Sequence, residues 1–447
     1  MKFIETLKNI WKIEDLRSRL LTTILLVLIY RFGSYIVLPG IDPTALTALK
    51  AQTSGGLLAL LDMFSGGAFA NASVFALGIM PYISASIVIQ LLTIAVPSFQ
   101  KMQREGESGR RKMNQYTRYL TVLILLLQGP SYLINLSVQM AQAGATLPDN
   151  FLFTASTTLI LAGGSMFVMW LGERITDKGI GNGISFIILV GIISRFPGAV
   201  IKEYASRLSD NGGGGLVMFL VEIIFLLLVI AASILLVQGT RKIPVQYAKR
   251  VVGNKQYGGV RQYIPLKINA AGVMPIIFAQ AIMFIPVTLA GFSHSESLNS
   301  FVGAFMNNTG VWYNLVFGLL IVAFTYFYTA ITINPTQMAD EMKRNNGFIP
   351  GIKPGKRTAE YLDEIMSRIT LPGSIFLAIV AIMPAFASLL GINQEFAQFF
   401  GGTSLLILVG VVLDTLQQIE SHLLMRHYDG LLKSGRIKGR SGGASAY

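Results

Sequence analysis

Residues 57–92 read LLALLDMFSGGAFANASVFALGIMPYISASIVIQLL. The stretch opens apolar, from Leu57 to Phe64, far short of the roughly 20 apolar residues that cross a bilayer. Gly66, Gly67 and Asn71 interrupt it. A full-length apolar run follows, bent by Pro81, with Ile83 and Ile87 one turn apart on one helix face. Non-helical backbone at membrane depth survives only where protein buries it or where it lines a cavity. A half-helix ahead of a complete span therefore predicts a membrane protein with something to line or to plug.

The rest of the chain agrees. Of 447 residues, 52% are hydrophobic and 13% charged, where a soluble globular protein carries about 25% charged residues. Apolar runs fall near 20–38, 72–95, 117–137, 152–172, 183–201, 216–238, 270–290, 313–333, 372–391 and 402–424. The expected fold is all-α and polytopic, with ten transmembrane helices and the short half-helix as an additional, non-spanning piece. The fifth run is the weakest, because Arg195 and Pro197 cut it; Arg195 reads as snorkelling to the interface. Residues 1–19 are charged and amphipathic and read as a cytosolic segment on the membrane surface, not a cleavable signal peptide. The lack of a transit peptide favours a bacterial source.

Charge placement fixes the orientation. An even number of spans puts both termini on one side. On that side fall residues 1–19, the segments 97–118, 174–178, 240–267 and 335–370, and the tail 426–447. Of 36 Lys and Arg residues, only Arg31, Lys50, Arg195, Lys202 and Arg207 lie elsewhere. The positive-inside rule makes that side cytosolic. The chain divides into five-span halves, 20–201 and 216–425, joined by an outside linker 202–215 that ends in the tetraglycine Gly212–Gly215. Five spans per half force opposite orientations. Such an inverted repeat places a pathway between the halves. Two cytosolic loops exceed what a connection needs. Residues 240–267, with Gly253, Gly258, Gly259, Tyr247, Tyr257 and Tyr263, suit a hairpin. Residues 335–370 carry a Gly/Pro-rich tip and then an amphipathic helix starting near Thr358. Both loops read as docking surfaces for a large or anionic partner.

Catalytic and cofactor chemistry finds no foothold. Zero cysteine excludes disulfides, thiolate metal sites and cysteine nucleophiles. His294, His422 and His427 form no triad with an acid and a serine at useful spacing. Residues 351–358, GIKPGKRT, fall one residue short of a phosphate loop, with Arg357 where Ser or Thr belongs. Residues 179–183, GIGNG, resemble a dinucleotide turn without a preceding strand. The chain reads as no enzyme, with no metal and no cofactor. A secondary transporter is the competing class; it would need a midplane ionisable group, and Asp414 reads as the one deep acid. A membrane scaffold is the other alternative. Isoleucines line the expected middle instead: Ile83 and Ile87, Ile184 and Ile188, Ile277 and Ile407. A lone membrane isoleucine is ordinary packing, and its spacing alone assigns it no role.

Residues 71–92, 170–187 (WLGERITDKGIGNGISFI) and 350–370 (PGIKPGKRTAEYLDEIMSRIT) resemble the SecY family, the central subunit of the bacterial protein-conducting channel, and the resemblance runs from about residue 10 to residue 430. It implies an hourglass channel in the bacterial cytoplasmic membrane, passing unfolded polypeptides across and releasing membrane segments sideways. It implies a plug at 57–69, with Leu57, Leu58, Leu60, Leu61, Met63, Phe64, Ser65, Gly66 and Gly67. It implies a constricting ring of Ile83, Ile87, Ile184, Ile188, Ile277 and Ile407, which seals loosely around any chain and gates ions by dewetting when empty. A lateral gate would include Gln128, Ile285 and Pro286. The two long loops would dock the motor ATPase SecA or the ribosome through Arg241, Lys249, Arg250, Lys255, Arg261, Lys353, Lys356 and Arg357. Further implied partners are the membrane subunits SecE and SecG, signal peptides, nascent chains, membrane lipids, and the accessory SecDF and YidC proteins. One departure stands out: the family's arginine in the loop tip is Lys353 here, which lacks the planar fork for bidentate contacts.

Overall fold

A computed structural model describes residues 13–41, 62–142, 150–208, 215–247, 250–252, 255–257, 261–290 and 310–433, with Trp11 and Pro148. Each of the ten expected apolar runs contains a helix. The first half holds α1 (Glu14–Gly33), α2 (Met80–Ala95), the short α3 (Pro97–Arg104), α4 (Glu107–Gln142), α5 (Phe151–Lys178) and α6 (Gly183–Leu208). The second half holds α7 (Gly215–Gln238), α8 (Met274–Ala290), α9 (Val311–Thr332), α10 (Pro335–Arg344), α11 (Lys356–Leu389), α12 (Gln394–Ala397) and α13 (Gly402–Lys433). Among the described residues, seven helices are long and apolar enough to cross a membrane unaided. α1, α2 and α8 fall short of that: α1 carries charges within both of its ends, and α2 and α8 are brief.

The second apolar run departs from expectation. It is not helical from its start, because turns occupy residues 65–79 and α2 begins only at Met80. Gly66, Gly67 and Gly78 have φ of 65°, 92° and 54°, and Ala72 has φ 44°. Such backbone cannot propagate a right-handed helix. Pro81 sits in the first turn of α2, where its missing N–H costs nothing, so it starts this helix and does not bend it. The turn region satisfies its backbone through its own turns, such as Ser73 N to Ala68 O at 3.0 Å, and is pinned by two bonds to the exit of α1. Leu38 N donates to Ala72 O at 2.9 Å, and Val74 N donates to Ile36 O at 2.9 Å.

α6 also differs from expectation. It runs unbroken through Arg195 and Pro197 to Leu208. Its last turns are charged and buried. Arg207 Nε donates to Glu203 Oε1 at 2.8 Å, and Arg207 Nη2 donates to Glu222 Oε1 at 2.6 Å and to Gly391 O at 3.0 Å. Glu203 Oε2 accepts from Asn393 N at 2.9 Å. This cluster ties α6 to α7 and to the turn between α11 and α12. At the other end of α6, Gly181 N donates to Gln418 Oε1 of α13 at 2.9 Å, and Ile180 N donates to Thr23 Oγ1 of α1 at 3.2 Å. The 179–183 glycines thus form a joint between helices, not a nucleotide turn.

The two long loops fold as one body. Strands β1 (Thr240–Tyr247) and β4 (Arg261–Lys267) pair antiparallel, with Ile243 opposite Ile264. β2 (Arg250–Val252) and β3 (Lys255–Tyr257) pair at the hairpin's far end. β5 (Gly347–Phe348) adds to β1, giving the order β4-β1-β5. Ile243, Val245 and Leu266 of the hairpin bury against Met342, Ile349, Leu362 and Met366 of the second loop. The amphipathic helix expected near Thr358 is the first stretch of α11 and is continuous with the ninth span.

Candidate functional site

The site forms where the broken segment meets the helices around it. Residues 62–64 make one helical turn, and Met63 and Phe64 are buried. They join one apolar cluster with Ile188 and Ile407, against which Ile83, Ile184 and Ile277 pack. Ile87, one turn along α2 from Ile83, is buried as well. Side chains from α2, α6, α8 and α13 therefore share one apolar cluster with the short segment. The cluster also takes in Ile187, Ile192, Phe399 and Phe400, which the sequence did not single out. A branched aliphatic lining presents bulk without charge, so it closes against the segment yet offers nothing for a polar chain to bind.

Polar contacts hold the segment from its other side. Tyr30 Oη donates to Ser65 O at 3.0 Å, and Arg31 Nη1 donates to Gly66 O at 2.8 Å. Tyr132 Oη of α4 donates to Phe69 O at 3.1 Å. Asp62 Oδ1 accepts from Ala70 N at 2.7 Å, and its other oxygen pairs with the Arg195 guanidinium. Arg195 therefore does not snorkel outward: its charge is met by a carboxylate that is itself only 2% exposed. α6 comes close enough that a Cβ on Gly191 would sit 2.9 Å from Phe64 O and 3.2 Å from Gly66 N. Gly66, at φ 65°, turns the chain there.

Beside this contact lies a cavity of about 270 Å³, lined by Arg31, Gly66, Asn71, Arg195, Lys202 and Glu395 among others. Lys202 Nζ binds both Glu395 oxygens, at 2.6 and 2.8 Å. The charged residues were legible as anomalies, since an acid in a short apolar stretch and an arginine in a span are both costly without partners. Their pairing was not legible, because it joins positions far apart in the chain.

The other expected residues are placed as follows. Gln128 is half-buried on α4. α8 contains Ile285 and Pro286, whose side chains lie outside the described residues, as do Leu57, Leu58, Leu60, Leu61 and Lys249 and the side chains of Arg250 and Lys255. α2 meets α8 across the seam between the halves. Arg241, Arg261, Lys353, Lys356 and Arg357 are exposed on the hairpin body. Asp414 is exposed on the surface of α13. Among the described residues the buried acids are Asp62, Glu203 and Glu222, each met by an arginine. Among the described residues no group of His, Cys, Asp and Glu is placed to hold a metal ion.

The sequence profile of the SecY family matches residues 73–416. The protein translocase subunit SecY of Streptomyces scabiei is 44% identical over 436 residues, covering 95% of this chain and 98% of that protein. The subunit of that name from Mycobacterium tuberculosis (strain H37Rv) is 42% identical over 449 residues, covering 96% and 99%. Among solved structures, a protein-conducting channel aligns with TM-score 0.61 at 17% identity over 94% of this chain and 95% of that one. A SecY structure, described as one whose plug domain stabilises the closed state of the translocation channel and maintains a membrane seal, aligns with TM-score 0.62 at 18% identity over 94% and 95%. Sec61 in the canine ribosome–channel complex aligns with TM-score 0.57 at 16% identity over 94% and 95%. These structures share the fold, the closer relatives share the sequence over nearly its whole length, and the chain belongs to the SecY family.

Proposed function

We propose that this chain is the channel-forming subunit of a protein translocase, through which unfolded polypeptides cross a membrane and membrane segments leave sideways into lipid. The observation that carries this reading is a short segment, Met63 and Phe64, seated within converging isoleucines. The segment is the plug. Ile83, Ile87, Ile184, Ile188, Ile277 and Ile407 are the constriction. A ring of this chemistry seals by exclusion of water and yields to a passing chain, because it holds no fixed charge or hydrogen bond that must be replaced. α2 and α4 against α8 and α9 are the lateral gate, with Gln128 on α4 and Ile285 and Pro286 on α8.

The hairpin body is the docking platform. Arg241, Arg261, Lys353, Lys356 and Arg357, with Lys249, Arg250 and Lys255, suit the phosphates of ribosomal RNA or an acidic motor surface, and such binding weakens with salt. No energy source is legible in the chain, so the work comes from SecA or the ribosome, and the chain catalyses no reaction of its own. SecE and SecG are the membrane partners this reading requires. The Lys and Arg distribution supports cytosolic placement of both termini, in a bacterial cytoplasmic membrane. Deleting residues 57–67 tests the core of the proposal in planar bilayers. A rise in resting ion conductance is expected, and an unchanged conductance would count against the plug.

A further inference from the structure

We propose that Arg195 is the positioning residue that returns the plug to its seat, acting through the Asp62 carboxylate. The inference rests on reading residues 62–69 as the plug.

Packing alone does not account for this pair. The apolar cluster already surrounds Met63 and Phe64. Replacing a buried ion pair with apolar groups is often neutral or stabilising. What an ion pair adds over leucine is a restoring force that acts beyond contact distance. The cavity beside the segment supplies the setting. Arg31, Arg195 and Lys202 line it, and Glu395 is its one carboxylate besides what the plug brings. Arg31 is bound to Gly66 O, so both arginines hold the plug and both lose a partner when it leaves. Plug displacement therefore leaves three cations facing one carboxylate among the described residues. Asp62 is the acid that restores the balance, and the cavity's field draws it back. Glu395, shared with Lys202, offers Arg195 a second partner while the plug is away. The attraction is screened within about 10 Å at about 0.1 M salt, the scale of a plug that has moved aside but not departed.

The test is resting conductance of the full chain, purified with its accompanying membrane subunits, in planar bilayers. Asp62→Asn keeps the shape and the acceptor for Ala70 N and removes the charge. Arg195→Leu keeps the bulk, and Arg195→Lys keeps the charge. Asp62→Asn and Arg195→Leu are each expected to raise resting conductance about tenfold, the loss of one close charge pair. The double variant is expected to leak no more than either single one. Arg195→Lys, which keeps the charge but loses the planar fork, stays within about threefold of the unmodified chain. Raising KCl from about 0.1 M to about 1 M opens the unmodified chain beyond the change in bulk conductivity and leaves Asp62→Asn unaffected. Tight Arg195→Leu and Asp62→Asn channels, beside a leaking deletion of 62–69, overturn the proposal and leave the plug standing. A tight deletion overturns both.

Discussion

A hydrogen atom is all that position 191 tolerates, because any Cβ there meets Phe64 O at 2.9 Å. Gly191→Val is expected to lift the plug from its seat, and a raised resting conductance with polypeptide export retained checks it. The ring follows a rule of bulk. Ile→Gly at several of Ile83, Ile188, Ile277 and Ile407 is expected to leak, whereas Ile→Leu, which conserves volume, is expected to leave conductance near its starting value. Equal leak from both series would refute a seal made by bulk. Arg207 obeys a rule of charge. Its removal leaves Glu203 and Glu222 buried without a counter-ion, so Arg207→Ala is expected to destabilise the chain by about 3–5 kcal/mol, a loss typical of a broken buried pair. Thermal unfolding in detergent measures that loss, and a variant as stable as the parent would refute it. At this scale the sequence spoke unevenly. The spacing of Ile83 and Ile87 was visible as a face, and the family resemblance supplied their role. Asp62 and Glu203 were passed over and Glu222 was placed toward an outer span end, with Asp414 preferred as the deep acid, since burial of an acid depends on which arginine folds against it.

Elements were legible where hydrophobic runs are long and uniform. α4, α5, α6, α7 and α13 contain the runs expected of them. The second span was misjudged because apolar composition is shared by a helix and by a buried turn region. Residues 65–79 are apolar for burial in protein, and their backbone is satisfied by successive turns within the segment and by two bonds to Ile36 and Leu38 instead of by a helix ladder. The hairpin was legible from its glycines and tyrosines, yet its docking against the second loop was not, since Ile243 and Leu362 are joined by no local pattern. That shared core gives an element-scale prediction. Val245 is fully buried beneath the hairpin. Val245→Asp is expected to unseat the platform and abolish ribosome cosedimentation, while resting conductance stays unchanged. Cosedimentation retained by this variant would separate the platform from docking.

For the whole molecule, the distribution of Lys and Arg carried most of the information, because orientation responds to charge near span ends. The inverted halves followed from the count of spans. Their joints did not: the Arg207 cluster and the Gly181–Gln418 contact stand at opposite ends of α6 and cross between elements remote in sequence. The channel reading also predicts company. Purification in mild detergent is expected to yield a small membrane protein of one to three spans in stoichiometric amount, and a chain that always purifies alone would weaken the reading. A mechanical consequence follows from α11. Its 34 residues make one continuous helix, with Pro372 and Pro384 inside it, of about 50 Å along its path. The near end, with Thr358, Ala359 and Leu362 buried, lies under the docking platform. Just past the far end, Gly391 O is gripped by Arg207. A partner leaning on the platform therefore works a lever whose fulcrum lies within the second half. A tilt of about 5° along such a helix carries its far tip about 4 Å. Force applied at one mouth of the channel thus reaches the other through α11, off the axis that the travelling chain occupies.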